Sequence, residues 1–573
     1  MAAPEWRDSR RLTGPHLVLD RPGAALEVAL APERADEVIG AWERAAAELC
    51  AELDLGPVEF RVRRFQGGAT LAFSAWIDRL YAACEVNEAA WRLAWARLDG
   101  EGETAVEELL PPLRALIEEE CKPAVLQLET AAREHGAPFL WDDDEVSVGH
   151  GPAARCFPTE KTPDPEAVHW EGLDNVPIAM VTGTNGKSTT VRLLAAMCEQ
   201  AGLVPGMSST DWIKVGGEVI DRGDWSGPGG ARAVLRHPKT EVALLETARG
   251  GMLRRGLGVD RADVIAILNV AADHLGEWGV ADVDELADVK WTLSRAAHAD
   301  GLAVLNAEDE LVRARVNRVQ APVLWFGLNG EAEPLASHRR AGGAAAYVQD
   351  GDLVLEVEGK PRAVAHVDAI PLAMRGAAKH NVANALAAIG LAHGLGLPID
   401  AMGRALSQFG LSPEDNPGRL AVFELGGVTA IVDFAHNPHG QRALMEMARD
   451  LKPNRQLVVL GQAGDRDDDS ISELVELTWE FRPDRILIKE MQKYLRGREP
   501  GEVPAMIRSE LARVGAPEEI HETVASESAA LDAALEWARP GDLLLLFSHA
   551  DREATLERLS QLEAEGWRPA VQA

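Results

Sequence analysis

Val176-Pro-Ile-Ala-Met-Val-Thr-Gly-Thr-Asn-Gly-Lys-Ser-Thr-Thr190 is the stretch on which the reading of this chain turns. Its first six residues suit a strand buried on both faces, and a helical pattern runs on to about residue 201. Between them Gly183, Thr184, Asn185, Gly186, Lys187, Ser188 and Thr189 form a glycine-rich turn at a helix N-terminus. Successive backbone N–H groups and the helix dipole there face an anion, and glycine lets the backbone close in. Lys187 would neutralise the β and γ phosphates of a nucleotide, and the Ser188 hydroxyl would reach Mg²⁺. Val181 stands where the longer GxxxxGK(S/T) pattern wants glycine, so this is the shorter GxxGK(S/T) form. A glycine turn opening an ordinary helix does not account for a lysine followed by three hydroxyl residues. Nucleotide binding is expected here.

Outward from the loop, short apolar runs at 242–245, 264–268 and 302–305 read as further strands of a mostly parallel sheet with helices outside. Residues 344–370 change to alternation, with Asp350-Gly351 as a hairpin turn, and a helix follows His380. Asn416-Pro-Gly-Arg419 breaks the chain, and a second α/β series begins with strands at 430–433, 457–460, 485–489 and 543–547. Ahead of the loop lies a mixed region, with strands expected at 17–20 and 58–62 and helices at 33–53 and 106–135. The acidic run Asp142-Asp-Asp-Glu145 reads as a solvated loop, and 149–165 as a linker. The expected fold class is α/β in three domains: a mixed N-terminal domain with its linker (1–165), a central phosphate-loop domain (166–416) and a C-terminal Rossmann-like domain (417–573).

Composition narrows the function. The 573 residues suit three or four domains at about 150 each. Hydrophobic residues at 46% and charged ones at 26% exclude wholesale disorder. Lys plus Arg is 58 against 91 for Asp plus Glu, a net charge of −33, which argues against nucleic acid as a partner. Five scattered cysteines without a CxxC pair fit neither a disulfide framework nor a zinc knuckle, which points to a reducing cytosol. No signal peptide is read at the start, and no run of about 18 apolar residues is free of charge, so no membrane partner is expected.

Other residues fall where a nucleotide site needs them. Glu246 ends one strand, and Asn269 and Asp273-His274 follow the next, at the carboxyl ends where ligands collect in such sheets. With the loop, Glu246 and His274 make a two-cation site, although each alone reads equally as a surface acid or a core histidine. Lys290, in Asp288-Val-Lys-Trp291, reads as a solvated helix lysine.

Gly183 to Ser188, Glu246-Thr-Ala-Arg-Gly-Gly251, Asp273-His-Leu-Gly276, Leu305-Asn-Ala-Glu-Asp309, His380-Asn-Val-Ala-Asn384, Pro417-Gly-Arg419, Asp433-Phe-Ala-His-Asn-Pro438 and Gly464-Asp-Arg466 occur in the order seen in Mur ligases. The set is most similar to the Mur-ligase-like half of the cyanophycin synthetases, over roughly 165–547. The resemblance implies an ATP- and Mg²⁺-dependent amide ligase that activates a carboxylate as an acyl phosphate and joins it to an amino acid amine. By position it implies ATP contacts at Gly183 to Thr189, Asn269, Asn381, Arg419 and Asp433, and metal contacts at Ser188, Glu246 and His274. It implies catalytic roles for Lys187, Glu246, His274 and Lys290, the last carbamylated, and substrate contacts at Arg249, His436, Asn437, Asp465 and Arg466. Asp467-Asp-Asp469 offers carboxylates to a basic amino acid, or else is an exposed acidic loop.

Cyanophycin synthetases carry an ATP-grasp domain where this chain has only 149–165. A separate backbone-forming enzyme is therefore an expected partner, beside an amino acid or acidic peptide substrate. For the N-terminal domain, substrate binding, partner docking and holding a homo-oligomer stay open. Two other function classes compete: a plain P-loop NTPase or switch, which leaves Arg419 and Asp433 to Pro438 unexplained, and a non-catalytic partner subunit, which predicts decay of Lys187, Glu246 and His274.

Overall fold

The computed structural model describes residues 5–99 and 106–569. Ile178–Thr182, buried at every position, lies inside an eleven-stranded sheet. Val242–Glu246 and Ala262–Ile267 flank it in parallel register. Pro205–Ser208 continues the parallel run on one side, and Ala297–Asn306, Val323–Gly327 and Ala345–Gln349 continue it on the other. Runs such as Val-Ala-Leu-Leu and Val-Ile-Ala-Ile have no polar face because helices cover both sides of the sheet. On one side Lys187–Gln200 and Lys379–Gly394 bury Val191, Leu194, Leu386 and Ile389 against it. The other side is covered by Pro228–Arg236, Arg249–Arg255 and Val283–Trp291. The 344–370 alternation is three antiparallel strands, Ala345–Gln349, Asp352–Val357 and Lys360–His366, the first two turned by Asp350 (φ 51°) and Gly351 (φ 86°). Positive φ at both turn residues matches the right-handed twist of the strands.

The second α/β series forms a six-stranded sheet in the order Ala421–Leu425, Val428–Asp433, Leu543–Phe547, Gln456–Leu460, Arg485–Lys489, His521–Val524. Its first pair is an antiparallel hairpin and the rest are parallel, a Rossmann-like arrangement. The segment joining the two sheets is fastened to the phosphate-loop helix. Asn416 donates through Nδ2 to Thr189 Oγ1 at 3.2 Å and to Arg419 O at 2.8 Å, and its Oδ1 accepts from Arg192 at 3.0 Å.

The N-terminal region departs most from the sequence reading. Residues 17–20 form no strand; Leu19 is buried and Leu17 packs into the core of the central domain. The strands are Asp8–Leu12, Gly23–Ala29, Phe60–Phe65 and Gly68–Ser74, in an antiparallel sheet covered by helices Ala35–Glu52 and Leu80–Asp99. The expected 106–135 helix is two, Val106–Glu120 and Pro123–His135, broken where Pro123 opens the second. The acidic run is not a free loop: Asp142 pairs with Arg236, and Asp143 takes both Arg11 Nη groups at 2.6 and 2.7 Å. Part of the expected linker, Arg155–Pro158, is the third strand of a small sheet with Phe139–Trp141 and Glu145–Val148. Asp142 is thus held by the central domain and Asp143 by Arg11 of the N-terminal sheet, while Asp143, Asp144 and Glu145 stay exposed to water as expected.

Candidate functional site

Parallel strands and the loops at their carboxyl ends set the phosphate loop at the bottom of a cleft of about 1140 Å³, walled by both α/β domains. A smaller cavity of about 260 Å³ continues past the loop between Asn381, Asn384, Arg419, Asp433 and His439. Gly186 sits at φ 89°, and a Cβ there would lie 2.2 Å from Asn384 Oδ1, so only glycine lets the loop pass the helix Lys379–Gly394. Asn269 shapes the loop: its Oδ1 accepts from Asn185 N at 2.8 Å, and its Nδ2 donates to Asn185 O at 3.0 Å. Lys187 folds back onto Gly183 O (3.1 Å) and Thr184 O (3.2 Å), within reach of any anion cradled by the turn. Ser188 Oγ lies 3.3 Å from Thr210 Oγ1.

Glu246 is 2% exposed, and neither carboxylate oxygen has a hydrogen-bond partner among the described residues. A buried anion without donors is costly, and a divalent cation beside Ser188 is the group that these oxygens fit. His274 lines the same cleft. It joins Asp273 and His436 in a cluster whose ligand atoms lie within 4.8 Å of one another, and Arg466 bridges it, donating to Asp273 Oδ1 (3.1 Å) and His274 Nε2 (3.3 Å). A metal on that nitrogen requires Arg466 to move. Burial works to raise the Asp273 carboxyl, but hydrogen bonding and charge from His436, with His274 and Arg466, hold it well below the usual carboxylate range. Burial and the neighbouring arginines push the His274 imidazole down against the pull of Asp273. His274 also has φ 52°, a conformation few non-glycine residues keep without support from their surroundings.

Lys290 reverses the sequence reading. It is 3% exposed, lines the cleft, and burial followed by the charge of Lys187 brings its amine down to about 7. The helix periodicity of Val283–Trp291 places this polar residue on the packed face, where composition alone expects solvent.

From the C-terminal domain, Arg419 stacks over Phe434 at 4.5 Å, and its Nε is buried without a hydrogen-bond partner among the described residues. Asp433 accepts from Leu420 N and Ala435 N, both at 2.7 Å, and burial raises its carboxyl. Asn381 Nδ2 donates to Leu372 O at 3.3 Å while its Oδ1 accepts from Asn384. Arg249 donates to His274 O at 2.9 Å and pairs with Glu277; Asp465 pairs with Arg496. Asn437 does not face the cleft: it is buried, caps Pro438–Leu451 by accepting from Gly440 N, and exchanges hydrogen bonds with Asn185. The Asp467–469 run lies outside the cleft lining as well. Asp467 caps Asp468–Glu480 and Asp468 pairs with Arg498 at 2.7 Å, the usual place for acids at a helix start.

Sequence reasoning missed two networks. Asp211 pairs with buried Arg192 and, across the cleft, with Arg552; burial opposes its ionisation, but Arg192, Arg419 and Arg552 bring its carboxyl down to about 2. Glu527 receives the backbone N–H groups of His549, Ala550 and Asp551 and pairs with buried Lys489, which fixes the loop after the strand Leu543–Phe547. Neither carries a motif at fixed spacing; in both, the partners are brought together only by tertiary structure.

A phosphate-loop domain facing a Rossmann-like domain across a charged cleft defines the class. The Mur ligase middle domain model matches residues 181–392 and the Mur ligase glutamate ligase domain model matches 418–549, so the chain belongs to the Mur ligase family. Cyanophycin synthetase of Trichormus variabilis is 38% identical over 376 residues, 66% of this chain and 41% of that protein. That of Synechocystis is also 38% identical, over 66% of this chain and 43% of its own. UDP-N-acetylmuramate–L-alanine ligase of Halorhodospira halophila is 29% identical over 55% of this chain and 64% of its own. The chain thus spans about two fifths of the cyanophycin synthetases it matches. The structure of E. coli FolC with ADP shares the fold at a TM-score of 0.50 and 19% identity, covering 68% of this chain and 90% of that one.

Proposed function

We propose that this chain is an ATP-dependent amide ligase that phosphorylates a carboxylate and then joins it to an amino acid amine, releasing ADP and phosphate in a reducing cytosol. The observation that carries the proposal is one cleft holding Lys187, the unpartnered Glu246 carboxylate and buried Lys290 on one wall, with Arg419, His436 and Arg466 on the other. In the first step a carboxylate oxygen of the donor attacks the γ-phosphorus of ATP, and the bond to the ADP oxygen breaks. Lys187 and the loop amides stabilise charge on the transferring group, and Arg419 adds a second cation. A divalent cation held by Ser188 and Glu246 would supply further charge neutralisation there. In the second step the neutral amine attacks the acyl carbon, phosphate leaves and the nitrogen releases a proton. Closure of the two domains keeps water from the acyl phosphate meanwhile.

The matched part of the cyanophycin synthetases supports an amino acid amine, with arginine or another basic amino acid as the first to try, and an acidic amino acid or peptide as donor. Lys290 as a carbamate would add an anion to the metal side of the cleft. The test is ADP release across a panel of amino acids and β-aspartyl or γ-glutamyl peptides, with hydroxylamine as a trap for the activated acid. Substrate-dependent AMP, or ATP hydrolysis indifferent to amine and donor, would overturn the assignment.

A further inference from the structure

The cleft is rich in arginine, yet its arginines are not equivalent. Arg249 is paired with Glu277, Arg466 with Asp273, Arg496 with Asp465 and Arg552 with Asp211. Arg419, over Phe434, faces both the loop cavity and its smaller extension, where the nucleotide belongs. Arg254 is different. It lines the larger cavity, is exposed, and has no ion-pair or side-chain hydrogen-bond partner among the described residues. Its helix, Arg249–Arg255, begins three residues after Glu246, on the wall from which the γ-phosphate would be transferred.

That helix is also the element to which the N-terminal domain is fastened. Arg10 Nε and His16 Nε2 both reach Leu253 O at 3.0 Å, Thr13 N donates to Arg255 O at 2.8 Å, and Leu257 N donates to Pro15 O at 2.7 Å. The carbonyl groups on either side of Arg254 in sequence are thus held from behind. The approach is close: a Cβ on Gly14 would lie 2.3 Å from Leu257 O. An extended cationic side chain on a helix end that another domain immobilises is a preorganised anion contact, because less backbone freedom is lost on binding.

We infer that Arg254 binds a second carboxylate of the carboxylate donor, and that the N-terminal domain is the support which holds it in place. The reading rests on the proposed ligase and adds to it the class of donor: a molecule with at least two carboxylates, one activated at the loop and one held at Arg254. The donor, rather than the amine, is assigned because Arg254 stands on the phosphate-loop side of the cleft.

Tri-L-aspartate serves as the probe, with its fully amidated counterpart as control and a non-hydrolysable ATP analogue present, by titration calorimetry on the full chain. Tri-aspartate should bind the native protein, Arg254→Ala should weaken it at least tenfold, and Arg254→Lys should recover part of the loss. The amidated peptide should bind weakly and alike in all three, with nucleotide affinity unchanged. Equal tri-aspartate affinity in native protein and Arg254→Ala overturns the inference, as does the absence of binding to native protein. A weakening that appears instead for arginine, offered as amine, also overturns it by moving the contact to the other substrate. Because the readout is binding, an Arg254-dependent affinity in a protein that never releases ADP upholds the subsite while sinking the ligase reading.

Discussion

Lys187→Ala should abolish ligation while leaving the melting curve nearly unchanged. Among the described residues the side chain bonds to two loop carbonyls alone, so little packing is lost. One well-placed charge in phosphoryl transfer is worth about 3 kcal/mol or more, a factor of about a hundred in rate. Retained activity removes the loop from the mechanism. Glu246→Gln should act in the opposite sense on stability. Its oxygens are buried without donors among the described residues, so neutralising them should raise the melting temperature of metal-free protein, by about 1–3 kcal/mol in free energy, while the Mg²⁺ requirement for turnover rises. A lower melting temperature at unchanged Mg²⁺ dependence counts against a metal at this carboxylate. For Lys290 the sign follows from an amine at about 7. Neutral amine, the form that captures CO₂, accumulates as pH rises through 7 and is lost below it. Activity should therefore fall as pH drops through that value, and return with bicarbonate after acid treatment. Indifference of Lys290→Ala to bicarbonate and to pH in this window ends the carbamate proposal.

At the scale of elements, the contact between Gly14 and the turn after Arg249–Arg255 is the place to perturb. Gly14→Ala places a methyl against a backbone oxygen that has no side-chain freedom to give way. The expected outcome is a lower melting temperature together with weaker tri-aspartate binding; unchanged binding would detach the N-terminal domain from the cleft. The same comparison shows what was legible in the sequence. The loop, its helix and the apolar strands of both α/β domains could be read because their residues satisfy local rules: glycine and lysine at the anion, and branched aliphatics where both faces are buried. In the N-terminal sheet, Gly23–Ala29 carries small residues that suit a strand no better than a helix, and 17–20 looked extended because it is apolar. Its pairing is settled by tertiary contacts. Asn437 reads as a substrate contact from its place in the family motif, and Asp467–469 as either a carboxylate pocket or an exposed acidic loop; Asn437 and Asp467 instead cap the helices that follow them. Arg254 goes unread, and Lys290 stands out only through the family resemblance while its own surroundings in sequence suggest solvent, since nothing local distinguishes a lysine or arginine that tertiary structure turns toward a cleft.

For the whole molecule, the domains meet through Asp211 and Arg552, Asn185 and Asn437, and Asp273 and Arg466. Asp211→Asn should weaken this closed arrangement, visible as a larger radius of gyration by small-angle scattering without nucleotide; an unchanged radius would mean that the other contacts suffice. Mass spectrometry of the protein with ATP, Mg²⁺, aspartate and arginine should show single ligations onto an existing acidic donor, and a primer-free ladder of growing backbones would contradict the proposal. Asn416 is fastened to Thr189 and Arg192, on the helix that Lys187 opens, so the fulcrum of the C-terminal domain is rooted in the nucleotide's own seat. The wall that carries His436 and Arg466 already meets Asp273 without a nucleotide, so the seat of the phosphate and the joint between the domains are a single piece of structure anchored at Asn416.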